Sequence, residues 1–297
     1  MVKIIHFEPT SRCNAACPMC ARNIDGEGCI VSLADLSLVD FKKQITKHIE
    51  LLEKIFFCGT VGDPCADKNL LDKIAYVKKL NKDITIGINT NGSIRNPTWW
   101  TDCAKLLTGT YDYVVFSIDG LEDTNHIYRV GVKFEKVMQN AKAYIDAGAS
   151  AHWDMLVFEH NKHQVEQCKQ LADKMGFTWF RSKETDRWDE YNFNHIKPVK
   201  KHNYIDYDRI TSIQCERNEE DSTYLDYKGQ EFPCCHIAES YYKGKIRHKD
   251  ILQYTPNQLM EEYQTRLDNG NPFYVCKRSC GKTLNKRSQW KQEIQLR

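Results

Sequence analysis

The sequence lacks an excess of charge of either sign, with 42 lysines and arginines against 40 aspartates and glutamates. A chain so balanced carries no electrostatic footprint for a nucleic acid or an anionic membrane surface. It also lacks any apolar run near the roughly 18–20 residues that span a bilayer. The first residues contain no apolar segment of the kind found in secretory signals. We therefore expect no nucleic-acid partner, no membrane association and a cytoplasmic location.

Low-complexity segments and fixed-period repeats are missing as well, which excludes solenoid and fibrous classes. What remains is a chain of 297 residues with 41% hydrophobic and 28% charged residues, as in globular proteins. That length accommodates one large barrel-type domain with a small appendage.

Short apolar runs rich in Val, Ile and Phe predict buried strands through the first part of the chain. The six runs are Lys3–Phe7, Lys54–Cys58, Ile84–Asn89, Tyr113–Ile118, Ala151–Phe158 and Phe177–Arg181. Helical spacing of apolar residues separates them, most clearly over 70–80, 134–145 and 165–175. Six βα units predict a parallel sheet, and the fold class is α/β, a partial (β/α)6 barrel resembling a TIM barrel. Such a barrel places its chemistry in the loops after the strands.

The alternation ends near Lys183, where a polar and aromatic stretch begins. We predict a core barrel over 1–185, a connecting segment over 186–210, a cysteine-rich α+β extension over 211–285 and a tail over 286–297. A hairpin with a Lys228-Gly229 turn is expected in the extension. A helix should follow it from the N-cap Thr255 to Gly270. The basic tail from Lys282 is predicted to be a solvated helix.

Thirteen cysteines in a chain without an export signal favour metal ligation in a reducing compartment over disulfides. Cys13, Cys17 and Cys20 lie just after the first predicted strand, and no fourth cysteine lies beside them. Three thiolates can hold three corners of a four-iron, four-sulfur cluster and leave one iron open to a small molecule. The alternative is a structural zinc site, which usually has four ligands in two paired motifs.

This Cys-x3-Cys-x2-Cys motif, with the flanking Glu8-Pro-Thr-Ser-Arg-Cys-Asn and Cys-Pro-Met-Cys20, resembles the radical S-adenosylmethionine (SAM) enzymes. The resemblance covers most of the chain. It implies a [4Fe-4S] cluster bound by Cys13, Cys17 and Cys20, with SAM at the open iron. Reductive cleavage of SAM would then give a 5′-deoxyadenosyl radical that abstracts hydrogen from the substrate. The cofactors supply the reactivity, while the protein supplies orientation and shielding.

The resemblance also implies contacts to SAM. After the second strand, Val-Gly62-Asp63-Pro is similar to the family's Gly-Gly-Glu-Pro, which meets the SAM amino group. Here valine and aspartate replace the first glycine and the glutamate. Ser117 and Arg129 occupy places where the peptide-modifying subfamily holds the SAM carboxylate, and a guanidinium suits a carboxylate because it donates two parallel hydrogen bonds. The alternatives are an ordinary turn for Gly62 and Asp63 and a surface arginine for Arg129.

A second set of cysteines, Cys215, Cys234, Cys276 and Cys280, resembles the auxiliary-cluster region of the SPASM/twitch subgroup. Four ligands suffice for one closed auxiliary [4Fe-4S] cluster, as in the shorter twitch type. A four-cysteine zinc site is the alternative. Cys235 could replace Cys234 as a ligand or donate a hydrogen atom.

The other cysteines divide into two groups. Cys103 and Cys168 fall on apolar helix faces, so we expect them in the core, and Cys58 ends a buried strand. Cys29 and Cys65 lie in loops that could approach the active site. No general base can be identified.

Taken together, these residues predict an oxidoreductase-type radical SAM enzyme. It would oxidise or cross-link a peptide or protein side chain, with the auxiliary cluster as electron relay and flavodoxin or ferredoxin as reductant. One alternative is a dehydrogenase or epimerase acting on a small molecule such as an aminocyclitol or sugar. An alternative of another class is a non-catalytic iron–sulfur or zinc protein.

Overall fold

The predicted alternation of strands and helices is confirmed in the computed structural model of the chain. It describes residues 2–23, 31–184, 196, 197, 199, 207–210, 212–243, 249–281 and 292–297. The strands in these ranges are β1 (Ile4–Phe7), β2 (Lys54–Phe57), β3 (Thr85–Thr90), β4 (Tyr113–Ser117), β5 (Ala151–Val157), β6 (Trp179–Glu184), β7 (Ser222–Leu225), β8 (Glu231–Phe232) and β9 (Gln292–Gln295). The helices are α1 (Leu38–Thr46), α2 (Leu70–Leu80), α3 (Pro97–Leu106), α4 (Glu122–Tyr128), α5 (Phe134–Asp146), α6 (Val165–Met175), α7 (Glu216–Glu220), α8 (Cys235–Lys243), α9 (Lys249–Leu252), α10 (Pro256–Asp268) and α11 (Tyr274–Cys280).

The strands form one sheet in the order β8-β7-β1-β2-β3-β4-β5-β6-β9. Strands β1 to β6 pair in parallel, and β8 and β9 add antiparallel strands at the two ends. Because β8 and β9 lie at opposite ends of this order, the sheet is open, as in a partial barrel. None of the helices in the described ranges is long and apolar enough to cross a membrane.

The two faces of the sheet bury different side chains. On one face, Phe7 of β1 stacks on Phe41 of α1, with ring centroids 5.1 Å apart. On the other face, aromatic rings of neighbouring strands contact each other, as Tyr113 and His152 do at 4.7 Å. Gly87 of β3 makes room for this row, because a Cβ atom there would lie 2.7 Å from the Phe56 ring and 2.8 Å from that of Tyr113.

The expected hairpin is confirmed, but it is part of the barrel sheet and not only of the extension. Strand β7 pairs in parallel with β1, with Tyr224 opposite His6, so the extension continues the sheet of the barrel. The predicted capping box is present at the start of α10, where Thr255 and Gln258 exchange hydrogen bonds. Gly270 follows the helix with a positive φ of 68°.

The tail was expected to be helical, and this prediction is wrong for its last residues. Residues 292–295 form β9, which pairs antiparallel with β6 and places Ile294 opposite Phe180. The outer edge of β6 would otherwise present unpaired backbone groups, and β9 satisfies them. Residues 282–291, and most of the predicted connecting segment, lie outside the described residues.

A buried ion pair fixes the chain that follows β2. The Lys73 ammonium of α2 lies 2.6 Å from the Asp67 carboxylate, and both side chains are 0% exposed. Lys73 also donates to the Leu36 carbonyl just before α1. One buried cation therefore joins the segments that enter α1 and α2.

We expect Asp67→Ala to lower the free energy of unfolding by about 3–5 kcal/mol, because it leaves the Lys73 charge buried without its partner. The matched control is Asp102→Ala, which breaks an exposed pair with Lys105 and should cost at most about 1 kcal/mol. Urea denaturation with both variants checks this. Equal midpoints for the two variants would contradict it.

Candidate functional site

The three clustered cysteines lie in the loop that leaves β1. Cys17 is buried, and Cys13 and Cys20 are partly buried. Nitrogen donors point at two of the sulfur atoms. The Ala15 backbone N–H lies 3.4 Å from Cys13 Sγ, Asn91 Nδ2 lies 3.7 Å from the same atom, and Arg129 Nη1 lies 3.9 Å from Cys17 Sγ. Donors in these positions favour sulfur atoms that carry negative charge.

The pKa values of the Cys13 and Cys17 thiols are raised in the protein without a bound cation. Burial raises the pKa of Cys17 to about 11, and burial and the nearby Asp63 raise that of Cys13 to about 12. A metal that displaces the protons would reverse this preference. Within the described ranges, no three acidic, histidine or cysteine side chains converge as one metal ion would require. A four-iron cluster takes each thiolate on a different iron, so its ligands need not converge on one point.

The loop of residues 59–63, which follows β2, lies directly against the cysteine loop. A Cβ atom on Gly62 would lie 1.8 Å from the Thr10 carbonyl oxygen, so the two backbones approach as closely as only glycine permits. The Asp63 N–H donates to the Arg12 carbonyl at 2.8 Å. The buried Arg22 side chain donates to carbonyls of both loops, those of Ser11 and Val61.

Asp63 contacts the chain at the ends of two strands. Its carboxylate accepts hydrogen bonds from the Thr90 hydroxyl at 2.8 Å, the Asn91 N–H at 2.8 Å and the Cys65 N–H at 3.0 Å. Burial raises the pKa of Asp63, while these bonds oppose the shift. With its oxygens used in this way, Asp63 fixes the loop after β2 against the loop after β3.

Glu8 is a site residue that the sequence pattern did not single out. It is 0% exposed, and its Oε1 accepts the N–H groups of Val61 at 2.6 Å and Gly62 at 2.8 Å. The Tyr224 hydroxyl donates to Oε2 at 2.5 Å. Burial raises the pKa of Glu8 to about 7, against the opposing effect of these three hydrogen bonds.

The fourth strand supplies Ser117 and leads to Arg129. The Ser117 hydroxyl donates to Asn89 Oδ1 at 2.9 Å. Arg129 Nε donates to Asp119 Oδ2 at 2.6 Å, and the ring of the neighbouring Tyr128 lies 5.4 Å from the guanidinium. Asp119 in turn accepts the Leu156 N–H on its other oxygen. Only one edge of the guanidinium is used by Asp119, and Nη1 is directed toward Cys17.

The second cysteine set comes together in the extension. A cavity of about 50 Å³ is lined by all four predicted ligands and also by Cys235. The four predicted ligands are Cys215, Cys234, Cys276 and Cys280. Burial raises the pKa of Cys276, and the thiols of the other three raise it further, which places all four within electrostatic reach. His6 of β1 also lines this cavity, so it borders the barrel sheet.

Cys234 and Cys235 differ in their surroundings. Burial raises the pKa of Cys234 to about 12, and its neighbouring thiols are Cys280 and Cys215. Burial also raises the pKa of Cys235, and the thiols that raise it further are Cys234 and Cys58. Cys234 therefore interacts with Cys215 and Cys280, whereas Cys235 interacts with Cys58.

The remaining cysteines are placed as follows. Cys103 and Cys168 are buried in the core, as expected, whereas Cys58 is partly buried and packs against the extension. Cys65 is completely buried beneath the 59–63 loop. Cys29 lies outside the described residues.

Three site residues were not predicted from the sequence, namely Glu8, Asn91 and Asp119. Each lies directly after a barrel strand, the position where such folds place their chemistry. Their position after a predicted strand could have identified them from the sequence. Turns such as Asn-Gly and Asp-Gly, however, also occur widely for purely conformational reasons.

Comparison with known proteins finds a matching family model, a curated relative and similar solved structures. A family model described as the Radical SAM superfamily matches residues 7–172. A curated relative from Pyrococcus furiosus is named "Tungsten-containing aldehyde ferredoxin oxidoreductase cofactor-modifying protein". It is 27% identical over 185 residues, which are 59% of this chain and 49% of the relative. The matched part therefore spans about half the length of that relative.

Solved structures share the fold at low sequence identity. Streptococcus suis SuiB, solved bound to S-adenosylmethionine, matches with a TM-score of 0.58 and 13% identity, over 80% of this chain and 61% of SuiB. The protein anSMEcpe with bound AdoMet matches with a TM-score of 0.60 and 14% identity, over 93% of this chain and 85% of that one. BtrN in complex with AdoMet and 2-DOIA matches with a TM-score of 0.52 and 14% identity, over 99% of both chains.

If the 59–63 loop meets SAM, as the sequence resemblance implies, we expect Gly62→Ala to weaken SAM binding roughly tenfold or more, because the added Cβ displaces the loop from the Thr10 carbonyl. Gly148→Ala is the control, since a Cβ there meets no atom within 4 Å and bears only the strain of a positive φ. Titration calorimetry with SAM on protein reconstituted with iron and sulfide measures both. Unchanged affinity in Gly62→Ala would show that this close approach has no bearing on binding.

Proposed function

Because the chain belongs to the radical SAM superfamily, whose family model covers residues 7–172, we propose that Cys13, Cys17 and Cys20 hold the [4Fe-4S] cluster of a SAM-cleaving enzyme. When bound, cluster and SAM together supply one-electron cleavage of SAM and a 5′-deoxyadenosyl radical that takes hydrogen from the substrate. The observation that carries the proposal is the set of N–H donors directed at Cys13 and Cys17.

The residues proposed to bind SAM are Gly62, Asp63, Ser117 and Arg129, all at or after the ends of strands β2 and β4. Arg129 suits the carboxylate because Asp119 orients it through Nε and Nη1 is directed toward Cys17, which leaves Nη2 for a ligand among the described contacts. Asp63 contributes by fixing the 59–63 loop through Thr90 and Asn91, so that loop backbone meets the ligand. Asp63 is shorter than the glutamate of the family motif, and its side chain is engaged in these contacts.

We assign the extension to the SPASM/twitch subgroup, with an auxiliary [4Fe-4S] cluster held by Cys215, Cys234, Cys276 and Cys280. Cys235 lines the same cavity, but the mutual effects of these four thiols on pKa support this set over one that contains Cys235. Such a cluster provides an electron acceptor beside the barrel, which suits an oxidoreductase-type reaction with net two-electron oxidation. Flavodoxin or ferredoxin is the proposed reductant. Reduced thiols imply a reducing compartment such as the cytoplasm.

The proposed substrate is a peptide or protein side chain, which the enzyme oxidises or cross-links. Two structures with the same fold, SuiB with precursor peptide SuiA and anSMEcpe with the Kp18Cys peptide, contain peptides. A small aminocyclitol-like or sugar-like molecule is the second candidate, and the BtrN complex with 2-DOIA favours it by the same argument. Mass spectrometry of products from a pool of peptides and aminocyclitols distinguishes the two.

We expect the anaerobically reconstituted, reduced protein to convert SAM to 5′-deoxyadenosine, as followed by liquid chromatography. Replacing Cys13, Cys17 and Cys20 with alanine should abolish this conversion, because the cluster loses its ligands. Cys168→Ala, a buried core thiol of α6 that belongs to neither cysteine set, is the control for losing a thiol. Wild-type protein that binds iron but does not cleave SAM would instead support a non-catalytic iron–sulfur protein.

Iron content tests the auxiliary cluster separately. Two clusters require about eight irons per chain, and one requires about four. In Cys276→Ala we expect about four irons, retained SAM cleavage and loss of product formation, because the electron acceptor is gone. Colorimetric iron analysis and product assays measure this. About four irons in the wild type, or zinc in their place, would refute the auxiliary cluster while leaving SAM cleavage intact.

A further inference from the structure

We propose that Glu8 is a positioning residue that holds the 59–63 loop in its ligand-binding shape, and that Tyr224 of the extension fixes Glu8. The inference rests on the proposed role of this loop in binding SAM. It adds a physical link between the C-terminal hairpin and the cofactor site, which neither the cysteines nor Arg129 provide.

The first part of the link joins Glu8 to the loop backbone. Two consecutive N–H groups, of Val61 and Gly62, converge on the single oxygen Oε1 at 2.6 and 2.8 Å. Loops leave backbone N–H groups without partners in regular structure, so a buried acceptor decides their direction. Hydrogen bonds from backbone N–H groups to a carboxylate are among the stronger ones in proteins.

The second part joins Glu8 to the extension. The Tyr224 hydroxyl donates to Glu8 Oε2 at 2.5 Å, and the same hydroxyl oxygen lies 2.9 Å from Thr60 Oγ1. Tyr224 therefore contacts the loop both directly, at Thr60, and through Glu8. Tyr224 is 0% exposed, so bulk solvent does not reach these contacts.

The position of Tyr224 on β7 connects Glu8 with the region of the auxiliary cysteines. Tyr224 lies opposite His6 in the pairing of β7 with β1. The preceding residues Ser222 and Thr223 line the cavity of the auxiliary cysteines. A shift of β7 would therefore move Glu8 and, with it, the 59–63 loop. This loop has no free space at Gly62, where its backbone contacts Thr10.

The side chain of Glu8 acts as an acceptor in this arrangement whether or not it is ionised. Burial and the neighbouring Asp226 raise the pKa of Glu8, so the neutral form is accessible near neutral pH. Glutamine keeps an oxygen for the two backbone N–H groups, and its amide can donate to the tyrosine oxygen. Alanine removes both sets of hydrogen bonds, whereas glutamine removes only the charge. Comparing the two variants therefore separates the effect of hydrogen bonding from the effect of charge.

The test compares Glu8→Ala, Glu8→Gln and Tyr224→Phe with wild type. Tyr144→Phe is the matched control, because it removes a buried hydroxyl that has no hydrogen-bond partner. The first readout is amide hydrogen exchange of residues 59–63 in the protein as purified. The second is the SAM dissociation constant of the reconstituted enzyme, measured at equal iron content.

We expect Glu8→Ala and Tyr224→Phe to accelerate exchange in the 59–63 loop and to raise the SAM dissociation constant, each roughly tenfold. Glu8→Gln should restore most of the affinity lost in Glu8→Ala, and Tyr144→Phe should match wild type. A lowered melting temperature with unchanged exchange and SAM affinity would overturn the proposal and leave Glu8 a purely structural residue.

The outcomes also separate this inference from the proposed function. If wild type binds no SAM, the proposed function fails, and exchange in the loop still decides whether Glu8 holds it. If wild type binds SAM and both Glu8→Ala and Tyr224→Phe bind it equally well, only this inference fails. Should Glu8→Ala not fold, Tyr224→Phe decides between the two outcomes, because it removes one hydroxyl and keeps the ring that packs against Phe232.

Discussion

The contact of two loop backbones at Thr10 and Gly62 determines the arrangement of the candidate site. The cysteine loop and the 59–63 loop follow neighbouring parallel strands, and they can touch only because Gly62 has no side chain. The Arg22 side chain also joins the two loops, because it donates hydrogen bonds to a carbonyl of each. The hydrogen bonds that Asp63 accepts from Thr90 and Asn91 join the two loops to the end of β3. The ends of β1, β2 and β3 therefore form a single surface.

Buried acids are the recurrent means by which the fold holds these strand ends together. Glu8, Asp63 and Asp119 follow β1, β2 and β4, and each is almost completely buried. Each accepts backbone N–H groups from another segment, which offsets the cost of burial. A carboxyl group at such a place orients a loop more specifically than an apolar contact could, because it fixes the direction of N–H groups.

Local sequence patterns predicted the elements of the fold well and their partners less well. The six barrel strands and α10 lie within three residues of where the apolar runs and the capping box place them, with β6 shifted furthest. The pairing of β7 with β1, and of β9 with β6, joins segments far apart in sequence, and a period of two residues does not encode the partner strand. The contact of Glu8 with Tyr224 was missed for the same reason. The cysteine spacing, in contrast, is local, and so the metal-ligand candidates could be read from sequence.

The pairing of β1 on both sides has a consequence for biosynthesis. Strand β1 lies between β2 and β7, and β7 ends at Leu225. While the chain leaves the ribosome, the outer edge of β1 stays unpaired until β7 has also been made, a state prone to aggregation. The cysteine loop begins at the end of this same strand, so its final shape depends on a segment that is made long after it. Iron and sulfide delivered before β7 is made would meet an unfinished site, so completion of this part of the sheet would come first.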